Sequence, residues 1–200
     1  IDELAKRAGT HGEISALTRL TMQGSLDFAA SLKQRVGLLR GLPAHELDHA
    51  ASLITVMPGA RQLVAAMKAQ GAHTALVSGG FTVFIEKVAR DLGFDTWTGN
   101  ELGVVNGHLS GTVQEPIRDA AAKRDTLLEL AAGLDIDLSQ TLAVGDGAND
   151  LAMLEAAGLA VAFRAKPAVR AAMLRAENGA VIDHADLTAL LALQGLTIPA

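Results

Sequence analysis

The chain of 200 residues contains no cysteine and no tyrosine, and only five phenylalanines and one tryptophan. The missing cysteines exclude disulfides and thiolate metal sites and fit a reducing compartment, so a cytoplasmic location is the expectation. So few aromatic rings leave little surface for stacking nucleic-acid bases. Seventeen Lys and Arg stand against 22 acidic residues, so no basic field is available to gather polyanions by counterion release. Nucleic acid is therefore not an expected partner. Apolar runs are broken by charge or glycine well before the roughly 18 residues needed to cross a bilayer. No leader pattern opens the sequence either, and no membrane association is expected.

What is present is Ala, Leu, Val and Gly, with half of all residues apolar. That mixture suits helices packed tightly on a sheet. Residues 1 to about 54 show helical spacing without a strand, through Leu4, Ala5 and Ala8, then Ile14, Leu17 and Leu20, then Leu32, Val36 and Leu39. Ser25 is the predicted N-cap of the third stripe, and Gly41 before Pro43 its stop. The rhythm changes at Met57-Pro58-Gly59, where a subdomain boundary is expected.

Beyond it, strands and helices alternate as in a parallel sheet. The pattern gives a helix over 59–70, a strand over Thr74–Val77, an SGGF turn, a helix over 82–92 and a short strand near Phe94–Thr98. A hairpin centred on Asn106-Gly107 follows, because that dipeptide favours a type I′ turn. A helix over 119–132 comes next, then strands at Thr141–Val144, Leu159–Phe163 and Ala180–Ile182 interleaved with helices.

Two strand ends carry chemistry. At the first, TLAV runs into Gly145-Asp146-Gly147-Ala148-Asn149-Asp150, and ligands in open α/β sheets bind beyond such carboxyl ends. Asp146 offers a hard oxygen suited to Mg²⁺. Asn149 can hydrogen-bond a bound group, and Asp150 can support the metal's shell or orient a lysine. A capped βα turn would explain a lone Asp and Asn; two acids, an amide and two glycines within six residues favour a site. At the second strand end, Ser78 and Gly79 can cradle a phosphoryl oxygen, although a plain turn explains SGG equally well. By position alone Lys123 reads as a solvated helix lysine. Arg35, sharing a helix with Lys33 and Arg40, reads as part of a solvated face, although its guanidinium suits a bidentate carboxylate contact. Met22 and Phe28 read as core.

The order IDELA, MQGSLDFAASLKQRVGLL, VSGGF, NGHLSGTV, the Lys123 helix, VGDGAND and AGLAVAFRAKP resembles the phosphoserine phosphatase family of the haloacid-dehalogenase-like (HAD) hydrolase superfamily. The resemblance implies an α/β fold, a Rossmann-like parallel-sheet core over residues 55–200 with a small all-helical cap over residues 1–54. It also implies Mg²⁺-dependent hydrolysis of O-phosphoserine through an aspartyl-phosphate intermediate, the last step of serine biosynthesis. By the same resemblance Asp146 would bind the metal. Lys123 and Asp150 would be catalytic, and Ser78, Gly79, Lys123 and Asn149 would hold substrate. Arg35 would grip its carboxylate, with Met22 and Phe28 closing over it.

The family's DxDxT-type motif, which supplies nucleophile and acid, does not occur in this sequence. Asp135-Ile136-Asp137 has the spacing but no preceding apolar strand, and Glu3 does not replace the family's amine-binding glutamate. The expectation is that the motif lies upstream of Ile1, on a central strand between Thr74–Val77 and Thr141–Val144. Those two strands should then stand roughly twice the usual 4.8 Å apart and remain unpaired. Alternatives at this stage are another small phosphomonoester, a phosphotransferase, or an inactive phosphate-binding protein.

Overall fold

The computed structural model describes residues 1–22 and 25–197, leaving aside the side chain of Met22. The chain divides into two compact units: Ile1–Thr55 with Ser78–Ala89 and Trp97–Asp119, and Val56–Val77 with Arg90–Thr96 and Ala120–Ala200. Three elements run from one unit into the other: β1 (Ala75–Phe81), α6 (Thr82–Leu92) and β2 (Thr96–Asn100).

The first unit is built on α1 (Asp2–Ala8), α2 (His11–Met22), α3 (Phe28–Gly37) and α4 (Glu46–Ser52). The helical spacing of Leu4, Ile14, Leu32, Val36 and Leu39 puts all five on buried faces, where they join Leu47, Phe81 and Leu109 in one apolar cluster. The cap of α3 is Asp27, whose carboxylate accepts from Ala30 N at 3.0 Å, and not the expected Ser25. Ser25 is used elsewhere, its N–H donating to Leu20 O at 3.0 Å and closing α2. The hairpin of β3 (Leu102–Val105) and β4 (His108–Val113) turns at Asn106 and Gly107, with φ of 50° and 73°. Both residues take the positive φ that a type I′ turn demands. Gly41 N donates to Leu109 O, and Leu109 N to Leu42 O, each at 2.8 Å, fastening the hairpin to the chain that follows α3.

In the second unit a parallel sheet runs in the order β5 (Leu142–Gly145), β6 (Leu159–Phe163), β7 (Gly179–Ile182). Strand β6, LAVAF, lies between two neighbours and is buried from Ala160 to Phe163, so it reads as a continuous apolar run rather than an alternating one. Around the sheet lie α5 (Ala60–Ala69), α7 (Ala120–Gly133), α8 (Leu151–Ala156), α9 (Pro167–Met173) and α10 (Ala189–Leu193). Among the described residues no ladder joins β1 to β5, which belong to separate hydrogen-bonded sheets. No helix of the described residues is long and apolar enough to cross a membrane.

The SGGF segment differs from the turn expected of it: β1 stays extended through Phe81. The ring of Phe81 is 3% exposed and anchored in the helical cluster, and this apolar anchor draws the strand past its two glycines.

Asp95 ties the start of β1 to the start of β2. Its carboxylate accepts from Lys68 Nζ at 2.5 Å and from Thr74 N and Oγ1 at 2.8 Å each. The lysine first, then the Thr74 N–H, hold this carboxyl well below its ordinary value of 3.8. A depressed folded value contributes stability above the ordinary value, which is lost as pH falls toward the folded one. Asp95→Asn should therefore lower the melting temperature at neutral pH, with the gap from the parent narrowing steadily as pH falls from about 5 to about 2. A gap that stays constant over that range in thermal scans contradicts this assignment.

Candidate active site

The candidate residues fall into two groups, one in each unit. In the second unit β5 ends at Gly145, a short 3₁₀ turn covers Ala148–Asp150, and α8 follows at once. Asp150 organises this loop. It is 4% exposed; one oxygen accepts from the N–H groups of Asp146 and Gly147 at 3.0 Å each, and the other from Lys123 Nζ at 2.5 Å. The side chain folds back so closely that a Cβ on Gly145 would lie 2.4 Å from Asp150 Cβ. Only glycine fits there.

Lys123, at 8% exposed, is therefore no solvated helix lysine. One of its three N–H donors is spent on Asp150, and the other two have no partner among the described residues. Of the two roles considered for Asp150, the geometry matches orienting a lysine. Its oxygens are occupied by three protein donors.

Asp146 presents the opposite case. Its backbone is fixed on both sides, N to Asp150 Oδ2 and O accepting from Lys166 N at 2.8 Å. Its carboxylate is exposed and makes no hydrogen bond or ion pair among the described residues. A rigidly mounted, unpartnered carboxylate at a strand end is a fitting single ligand for a hard divalent cation that takes its other oxygens from water and phosphate. Among the described residues no three His, Asp or Glu side chains form a fuller metal cluster. Asp146 and Gly145 border a cavity of about 520 Å³ together with Met57, Val144, Phe163, Arg164 and Leu187. Arg164, which the sequence analysis passed over, sits there with a left-handed φ of 46°, an uncommon conformation for a residue bearing a side chain. Asn149 is exposed beside this loop.

In the first unit Ser78 Oγ accepts from Gly80 N at 3.0 Å, which leaves its hydroxyl proton free to donate. The Gly79 carbonyl is held by Asn100, a residue that sequence reasoning missed. Asn100 is 1% exposed; its amide donates to Gly79 O at 2.9 Å and to Arg118 O at 3.2 Å, while its carbonyl accepts from Arg118 N at 2.8 Å. It thereby fixes the backbone of the SGG segment. An asparagine six residues before an Asn-Gly turn gives no sequence signal for that role. Phe28 lies against the same segment, since a Cβ on Gly79 would be 3.0 Å from Phe28 Cζ.

Arg35 departs from the solvated face of its helix neighbours. Lys33 is exposed and pairs with Glu115 at 2.6 Å, whereas Arg35 is 8% exposed. Its guanidinium makes only two long hydrogen bonds among the described residues, Nε to Ser31 O at 3.3 Å and Nη1 to Thr18 Oγ1 at 3.4 Å. Burial pulls its pKa below the ordinary value, with Asp2 opposing. The side chain of Met22 lies outside the described set. Asp137 caps the 3₁₀ turn Leu138–Gln140 through Ser139 N at 2.8 Å, and Asp135 has a φ of 53°; this pair builds a turn, in keeping with its rejection as a nucleophile.

The Lys123–Asp150 pair carries a stability prediction. Lys123→Met leaves a buried carboxylate without its cation and should cost about 3–5 kcal/mol in urea unfolding, with Lys123→Met/Asp150→Asn recovering part of the loss. A single-variant loss under about 1 kcal/mol, the scale of an exposed pair, would contradict the buried geometry.

Known proteins share this framework. A phosphoserine phosphatase of Mycobacterium tuberculosis is 45% identical over 197 residues, covering 98% of this chain and 47% of that protein. A phosphoserine phosphatase of Idiomarina loihiensis is 45% identical over 171 residues, covering 86% of this chain and 78% of that protein. The chain spans about half the length of the first two such relatives, 47% and 45%. Among solved structures, a substrate-bound phosphoserine phosphatase complex superposes with a TM-score of 0.86 at 37% identity, covering 98% of this chain and 90% of that one. The haloacid dehalogenase-like hydrolase model matches residues 2–155. With that match over most of its length, the chain belongs to the haloacid dehalogenase-like hydrolase family.

Proposed function

We propose that the intact protein is a Mg²⁺-dependent phosphomonoesterase that hydrolyses O-phospho-L-serine to serine and phosphate, completing serine biosynthesis in the cytoplasm. The observation that carries the reading is the division of labour in the Gly145–Asp150 loop: Asp150 is consumed by Lys123 and two backbone amides, while the Asp146 carboxylate has no partner among the described residues. Relatives named phosphoserine phosphatases, at 44–45% identity, support the choice of substrate.

On this reading Asp146 is the protein's carboxylate ligand to Mg²⁺, whose charge would offset that of a phosphate dianion brought among acidic groups. Lys123 directs its two remaining N–H donors at phosphate oxygens. Holding these donors in place before the reaction is what makes them effective, because no reorganisation is then needed as charge shifts during transfer. Ser78, its lone pair engaged by Gly80 N, gives its hydroxyl proton to a phosphate oxygen, with the Gly79 N–H as a second donor. Asn149 contacts the same group. Arg35 takes the substrate carboxylate in a two-pronged contact, which its buried guanidinium suits better than a lysine would. Phe28, packed on the SGG segment, supplies an apolar wall, and Met22 is proposed as its companion. Residues 1–54 act as the cap and residues 55–200 as the core. The phosphoryl-accepting aspartate is not assigned to a residue of this sequence.

Two substitutions test the reading in the intact protein. Asp146→Asn should lower Mg²⁺-dependent phosphate release from O-phosphoserine by about a hundredfold or more, since a charge interaction of several kcal/mol is lost. Undiminished turnover would remove Asp146 from the metal site. Arg35→Ala should raise KM for O-phosphoserine by about tenfold over its effect on an aryl phosphate, which has no carboxylate to hold. Equal effects on the two substrates would contradict the carboxylate contact.

A further inference from the structure

The surroundings of Arg35 contain one arrangement that its proposed role does not yet use. A guanidinium has five N–H donors in a fixed plane. Buried to 8% exposure, this one spends only two of them on the described residues, both through long contacts. One holds it to its own helix, from Nε to Ser31 O four residues back. The other crosses to α2, from Nη1 to Thr18 Oγ1. With Nε tied to α3 and one Nη1 hydrogen tied to α2, the guanidinium plane is fixed at two points. Among the described residues Nη2 has no partner, so its two hydrogens are left for a ligand.

The hydroxyl of Thr18 is committed to the acceptor role. It has a single proton, and that proton goes to Ile14 O at 2.9 Å in the turn below. Its oxygen therefore meets Arg35 through a lone pair. Thr21, one turn further on, makes the same bond to its own helix, to Leu17 O at 2.9 Å, yet its oxygen lies 2.5 Å from Ser31 Oγ and not against the arginine. Two threonines with the same local bond thus differ in their second contact: Thr18 meets the Arg35 guanidinium, and Thr21 the side chain of Ser31. At 3.4 Å the contact is long.

We infer that Thr18 is a positioning residue: its hydroxyl oxygen orients the Arg35 guanidinium so that its Nη2 side receives a carboxylate of the substrate. This rests on the proposal that Arg35 binds that carboxylate. The substrate class it selects is a phosphomonoester carrying a carboxylate within reach of the phosphate, against esters of similar size without one.

The test measures KM and kcat in the intact protein for O-phosphoserine and for an aryl phosphate, in the parent and in Thr18→Val, Thr18→Ser, Thr21→Val, Arg35→Ala and Thr18→Val/Arg35→Ala. Valine keeps the shape of threonine and removes the acceptor. The ratio of KM for O-phosphoserine to KM for the aryl phosphate should rise about tenfold in Thr18→Val, the scale of one hydrogen bond to a charged group. It should return to the parent's value in Thr18→Ser, stay there in Thr21→Val, and rise no further in the double variant than in Arg35→Ala alone. An unchanged ratio in Thr18→Val beside a raised one in Arg35→Ala overturns the inference and leaves the carboxylate reading standing. So does a Thr21→Val effect equal to that of Thr18→Val, which would mark loosened helix packing. An unchanged ratio in Arg35→Ala overturns the carboxylate reading, and the inference with it.

Discussion

The ion pair between Lys123 and Asp150 is the constraint from which the rest of the Gly145–Asp150 loop follows. Two charges that are 8% and 4% exposed are costly to take out of water, and the cost is offset only when the pair is close and the remaining lone pairs are satisfied. Here both conditions hold: the contact is 2.5 Å, and the second Asp150 oxygen receives two backbone N–H groups. Meeting them forces Asp150 to turn back over the end of β5, which in turn requires glycine at position 145. The same backbone bonds fix the main chain of Asp146 while leaving its side chain outside. One buried pair thus determines where a neighbouring free carboxylate stands.

The helical unit holds its buried cation in the opposite way. Arg35 is as buried as Lys123, but among the described residues it has no carboxylate within ion-pair distance, only a hydroxyl and a carbonyl at 3.3–3.4 Å. Burial disfavours the charged form, and Asp2 offsets only part of this, as the lowered pKa of the group expresses. On the proposed function a substrate carboxylate supplies the counter-charge, and a ligand lacking it leaves the cation unpaired. The two buried cations thus differ in structure: Lys123 is paired with Asp150, whereas Arg35 has no ion-pair partner among the described residues.

Much of this was legible in the sequence, for reasons that differ residue by residue. Strand β6 was predicted at its observed limits because a strand buried on both faces is a short apolar run bounded by Gly158 and Arg164. The hairpin was legible because Asn-Gly carries its backbone geometry in its composition. GDGAND was read as a candidate site because several polar residues crowd a strand end. Lys123 was not, since helix α7 carries polar and charged residues around much of its surface, and burial of one lysine is decided by an aspartate 27 positions away. Arg35 and Lys33 look alike in sequence for the same reason, although one is buried and the other paired with Glu115 at the surface. Local rules also misplaced a cap: Ser25 satisfies the N-cap preference, but the end of α2 had already claimed its N–H, and Asp27 took the position.

Asn100 shows where such failures concentrate. Its three hydrogen bonds join residues 79, 100 and 118, so no window of sequence contains the partners that give it meaning. A buried amide of this kind contributes little net stability compared with an apolar residue of the same size, because each bond replaces one to water. Its effect is on geometry: with both ends of the amide satisfied, the carbonyl of Gly79 has one orientation and the Ser78–Gly79 segment one conformation. The same logic applies to Asp150 under its loop. In both units the side chains proposed to meet phosphate are set by a buried polar residue that need not touch it. Positions of that kind become visible only when hydrogen bonds are traced outward from the candidate site, because neither residue type nor local spacing distinguishes them from an ordinary surface asparagine or helix-start aspartate.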